Sequence, residues 1–176
     1  MIDYGLVDAI DAQSIGPPGG RTFRVRVQSG QNRASLWLEK EQLAALARAI
    51  SQLLADHSRQ RGRPTEAAPA VEDFEVGDVE LQVARLGLDF VAEVEQVVML
   101  VDDREAIERA DTPAFRAEIT RAMAMSLVET IPDIVAAGRP TCPLCGRPIE
   151  GDGQHFCPQT NGHSKDLPIP EDPAGR

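Results

Sequence analysis

Two spacings of apolar residues alternate along the chain. RTFRVRVQ at 21–28 puts Phe23, Val25 and Val27 on one side and Arg24 and Arg26 on the other, the period of a half-buried strand. SGQN at 29–32 is turn chemistry, and Ala34, Leu36 and Leu38 resume the alternation, so 21–38 reads as an antiparallel hairpin. A further strand is expected within 4–11, and GPPGG at 16–20 reads as a loop. At Glu39 the period changes. Leu43, Leu46, Ala47, Ile50, Leu53 and Leu54 fall on one helical stripe that runs to about residue 58. Glu39 and Glu41 suit the positive end of that helix, and His57 its negative end.

Residues 59–76 are polar, hold Pro64 and Pro69, and read as a flexible loop. Strands resume beyond it. Val79, Leu81 and Val83 alternate, as do Leu88, Phe90, Ala92 and Val94, and VVMLV at 97–101 has the continuous apolar run of a strand covered on both faces. Thr112-Pro113 reads as the start of a second main helix, with Phe115, Ile119, Met123, Leu127, Ile131 and Ile134 as its buried stripe. Pro132 should kink or end it near Ile131, and Gly138 with Pro140 is a stop signal. Strands come in runs, which predicts an α+β fold: an antiparallel sheet with two main helices on one face over 1–138. An appendage spans 139–163, and the proline-bearing 164–176 tail is expected to be disordered.

Composition narrows the function classes. The chain has 176 residues, 42% of them apolar, with aromatics at only 4%, so aliphatic side chains must fill the core. Its net charge of −10 argues against a general nucleic-acid binder and against docking on an anionic membrane. No apolar run reaches the roughly 18 residues of a membrane span. The opening MIDYGLVDAIDAQ lacks the basic region of a secretory signal, which points to the cytoplasm, where thiols stay reduced.

All three cysteines lie in CPLCGRPIEGDGQHFC, 142–157. Cys142 and Cys145 are spaced C-x-x-C, and Gly146 suits the tight knuckle that turns backbone N–H groups toward the sulfurs. His155 and Cys157 return after a turn-rich excursion and complete a Cys₃His set for a structural Zn²⁺. His163 is the rival fourth ligand. A redox pair is the other reading of C-x-x-C, but such pairs open a helix after a strand, and this one follows a helix. A catalytic zinc would need an open position and a base; Glu150 and Asp152 are near, but acids in a turn are ordinarily solvated.

Other candidates are weaker. GPPGGRTF lacks the lysine of a phosphate loop and precedes a strand. Asp102, Asp103 and Glu105 have the residue types for Mg²⁺ but sit at a junction where acids usually face water. Arg24 and Arg26 form a basic stripe, expected to be a solvated strand face unless it is an anion or partner patch. Trp37 either packs under the linker or marks a partner surface. Arg139 and Arg147 are the only arginines near the metal segment.

GPPGGRTF, LWLEKEQLAALA, VARLGLDF and above all AAGRPTCPLCGRPIEGDGQHFCPQTNG resemble the domain of unknown function 3090 family over nearly the whole length. In that pattern a Gly-His-x-Cys-Pro run follows the knuckle and an aromatic follows Asn-Gly. Here Gln154 replaces the glycine and His163 the aromatic, which favours His155 as ligand. The resemblance implies no activity; members are often encoded beside phosphomutase-like and kinase-like proteins. The leading expectation is a zinc-stapled, non-enzymatic protein that binds a protein partner, with its oligomeric state open. The alternative is an enzyme or small-ligand protein with a pocket at the sheet, using Arg24/Arg26 or Asp102/Asp103.

Overall fold

Strand β1 (Ile2–Leu6) opens the chain, followed by β2 (Ala9–Ile15), β3 (Thr22–Ser29), β4 (Asn32–Leu38) and helix α1 (Lys40–His57). Then come β5 (Val79–Gln82), β6 (Arg85–Val91), β7 (Gln96–Asp102), the short α2 (Arg104–Arg109), β8 (Phe115–Thr120) and α3 (Arg121–Ala136). The computed structural model describes residues 1–17, 20–59, 62, 64–109, 112–136 and 144–145. The expected 139–163 appendage, apart from Leu144 and Cys145, and the expected 164–176 tail lie outside the described residues.

The α+β class holds, but the strands form two sheets of four, ordered β2-β3-β4-β5 and β1-β8-β7-β6. Neither is purely antiparallel. β5 pairs parallel with β4 through Ala34↔Val79 and Leu36↔Leu81, and β1 pairs parallel with β8 through Ile2↔Phe115. The single antiparallel sheet is therefore corrected. Parallel neighbours cannot be joined by a tight turn, so these pairings span long sequence separations that leave no local signal.

The element order repeats. Four strands and a long helix occur twice, as β1–β4 with α1 and as β5–β8 with α3. Each half sends its first strand to the other half's sheet, where it lies beside the last strand. The hinge of each exchange is a buried valine. Val7 N–H donates to the Glu118 carbonyl (3.0 Å), and Val83 N–H donates to the Trp37 carbonyl (2.8 Å). Buried residues in the helices also correspond at one constant offset: Leu43 with Ala124, Leu46 with Leu127, Ile50 with Ile131. α1 and α3 pack on each other, and each touches strands of both sheets. One core thus joins Val25, Val27 and Leu36 of one sheet, Val97, Met99 and Ile119 of the other, and both helices.

The helix starts follow from their caps. Glu39 N–H donates to Gln42 Oε1 (2.8 Å) ahead of α1. Thr120 Oγ1 accepts from Met123 N–H (3.3 Å) at the start of α3. One expectation falls here and another is narrowed. Phe115–Thr120 is a strand, with Phe115, Ala117 and Ile119 buried, and not the first turns of a helix. α3 also runs through Pro132 to Ala136, so of the two outcomes expected there, a kink or an end, the end near Ile131 is ruled out. Pro132 is exposed while Ile131 is fully buried, so burial on the core side outweighs a hydrogen bond lost on the solvent side. No helix among the described residues is long and apolar enough to cross a membrane.

Candidate functional site

Every second residue of β3 points away from the core, and two of these are arginines. Arg24 and Arg26 are each only 4% exposed. This corrects the solvated strand face. The covering element is the chain segment 72–76, which lies across the outer face of the β2-β3-β4 sheet. The sequence shows that segment only as a polar loop.

Arg24 is neutralised by dipoles. Its guanidinium donates to Gln13 Oε1 on β2 (3.0 and 3.2 Å), to the Glu75 carbonyl (2.7 Å) and to the Phe74 carbonyl (2.9 Å), with a longer bond to Ser35 Oγ (3.4 Å). Among the described residues it contacts no carboxylate. Arg26 is held by Asp11 on β2 through two bonds (2.9 and 2.6 Å) and by Asp73 (2.8 Å). The hydrogen bond to Asp11 raises its pKa above the ordinary arginine value against the opposing cost of burial, so Arg26 stays cationic at every working pH. Arg33 on β4 completes the group with an ion pair to Glu72 (2.6 Å).

Phe74 sits among these cations. Its ring centre lies 5.4 Å from the Arg26 guanidinium carbon, 5.5 Å from that of Arg24 and 5.9 Å from that of Arg33. These distances suit attraction between a cation and an aromatic face. Trp37 adds a second ring 5.6 Å from Arg24, and its indole N–H donates to Glu80. The covering segment is also pinned at its ends. Glu72 N–H donates to Gln28 Oε1 (3.0 Å) and Gly77 N–H to Glu80 Oε1 (2.6 Å). Gly77 passes so close to β4 that a Cβ would stand 2.7 Å from the Arg33 carbonyl oxygen, so only glycine fits.

Arg24, Arg26 and Trp37 thus come together as the sequence allowed. Asp11, Gln13, Arg33, Glu72, Asp73 and Phe74 were missed. Phe74 carried a signal: it is an aromatic inside Glu-Asp-Phe-Glu, in a polar stretch of an aromatic-poor chain.

The acidic candidates are placed apart from this face. Asp102 belongs to the other sheet, where it is 4% exposed and pairs with Arg85 (2.8 Å). Asp103 accepts the Ala106 N–H (2.7 Å) and caps α2. It also lines an open cavity of about 480 Å³ with Glu39, Gln42, Glu80 and Glu105, and Asp102 is not part of that lining. The two residue sets of the small-ligand alternative therefore do not converge. His57, on the last turn of α1, stacks on Phe90 with ring centres 5.9 Å apart.

Of the metal candidates, Cys145 is described and half-buried, whereas Cys142, His155, Cys157 and the rival His163 lie outside the described residues. So do Arg139, Arg147, Glu150 and Asp152. Among the described residues no group of three or more His, Cys, Asp or Glu is gathered as a metal site.

Comparison with known families matches residues 2–157 to proteins of unknown function (DUF3090). The chain belongs to the DUF3090 family. The matched span of this DUF3090 member includes the whole arginine face and ends on Cys157. No curated protein and no solved structure is matched by the chain.

Proposed function

We propose that this DUF3090 protein is a non-enzymatic protein-binding module that docks a partner on the arginine-bearing outer face of β2, β3 and β4. The observation that carries this reading is Arg24: a 4%-exposed guanidinium on a sheet face, satisfied by peptide carbonyls and a side-chain amide and flanked by two aromatic rings. Charges taken out of water seldom add stability over well-packed apolar residues. Three arginines on one strand pair are an expensive way to fix a linker, but a direct way to recognise a chain with carbonyls and carboxylates. The test is capture of partners from native cells by the wild-type chain and by Arg24→Gln and Arg26→Gln variants. A partner captured by the wild type and lost with both variants supports the reading. Partners retained by both variants contradict it.

The same proposal includes a structural Zn²⁺ held by Cys142, Cys145, His155 and Cys157. The support is the donor set: three thiols and an imidazole at knuckle spacing close a tetrahedron without leaving a position for chemistry. Elemental analysis is expected to give about one zinc per chain. The three thiols should become titratable only after chelation. Metal-free protein with three reactive thiols contradicts the staple.

A further inference from the structure

The arginine face already holds a peptide, its own. Residues 72–75, Glu-Asp-Phe-Glu, supply two of the three carboxylates that meet its guanidinium groups, the ring among them, and both carbonyls bound by Arg24. We infer that this segment is a built-in occupant of a peptide-binding site, and that the partner presents an extended acidic segment centred on an aromatic residue, which displaces it. The inference rests on the reading of this face as a docking surface and names the ligand class.

The contacts favour exchange. The segment belongs to no strand, so no backbone ladder binds it to the sheet. Its own carboxylates face water: the Asp73 side chain is 95% and the Glu72 side chain 67% exposed. Each pair sets an exposed carboxylate against a more buried guanidinium, Arg26 at 5% and Arg33 at 25%, so water and salt reach it from the carboxylate side. The cationic side of each contact is by contrast fixed in the sheet, with Arg26 set by Asp11 and Arg24 by Gln13. The guanidinium groups are pre-oriented on the sheet, and the segment that meets them is held by side-chain contacts and at its ends, an arrangement that a second extended peptide can reproduce.

An attached occupant competes as an intramolecular ligand, and the apparent affinity for a free peptide falls by the fraction of molecules in which the site is open. The experiment is a fluorescence anisotropy titration of the full-length chain with a labelled peptide, Val-Glu-Asp-Phe-Glu-Val, the sequence of 71–76. Phe74→Ala is expected to bind it at least about 10-fold more tightly than the wild type, because its own segment holds on less well. Arg24→Gln placed on top should abolish binding, and a peptide with alanine for phenylalanine should not compete. Equal affinity for wild type and Phe74→Ala overturns the inference, as does no binding by a Phe74→Ala chain that still melts cooperatively. Displacement by inorganic phosphate as readily as by peptide also overturns it, since the face would then be a general anion site. Should Phe74→Ala fail to fold, Glu72→Gln with Asp73→Asn loosens the segment while leaving the ring, with the same expectation. If the peptide fails while partner capture still depends on Arg24 and Arg26, the ligand class is wrong and the docking face stands.

Discussion

At the scale of the residue, two side chains report on parts of the structure that can be probed alone. Tyr4 is the only tyrosine. It packs edge-on against Phe115, ring centres 5.0 Å apart, where β1 joins the β8 edge of the sheet. Burial, with the charge of Asp78 adding to it, raises its pKa above the ordinary 10.0. The folded state therefore keeps the proton longer than the unfolded chain does. Stability from this group is intact below pH 10.0 and falls as pH rises through that value toward the folded pKa. Phenolate absorbance of native protein should rise at higher pH than that of urea-unfolded protein; coincident curves would refute the buried setting of Tyr4. Gly77 reports on the covering segment. Gly77→Ala puts a methyl group 2.7 Å from the Arg33 carbonyl oxygen and should cost about 1–3 kcal/mol in urea unfolding. An unchanged midpoint would mean that the segment does not lie against β4.

At the scale of the element, Pro132 leaves α3 one hydrogen bond short at an exposed position while the helix continues to Ala136. Pro132→Ala should raise stability, by up to about 3 kcal/mol, because it restores a donor and removes the ring clash without touching the core. A loss of stability would show that the proline is needed where it stands. Much of the element list was legible. The β3–β4 hairpin and α1 follow from clean periods of two and of three to four, and α1 ends at His57 beside the expected residue 58. β8 was not legible, for a geometric reason. Phe115, Ile119 and Met123 recur every four residues, a spacing that keeps one face in a helix and equally in a strand. Ala117, between them, is fully buried and decides the case, but alanine carries little hydrophobic signal. Thr112-Pro113 then offered a helix start, whereas the threonine that caps α3 is Thr120.

At the scale of the whole molecule, the exchange of β1 and β5 makes each half incomplete without the other. Two fragments divided within 59–71, each expressed alone, should lack a cooperative melt, and mixing them should restore native circular dichroism. A first fragment that folds alone would show that β5 is dispensable to its sheet. The arginine site has the same origin. The segment that covers it belongs to the connection between the halves, from α1 to β5. Sequence periodicity shows Arg24 and Arg26 on the outside of a sheet and is silent on what lies over them, because that contact joins residues about fifty positions apart. The claim on which the functional reading turns is that this occupant detaches while the sheet beneath stays folded. Hydrogen–deuterium exchange of the full chain tests it directly. Amides of 72–77 should exchange through local opening orders of magnitude faster than those of β3, and the gap should widen as salt is added. Protection in 72–77 equal to that of β3, and indifferent to salt, would mean that the segment is a fixed part of the core structure and would contradict the account.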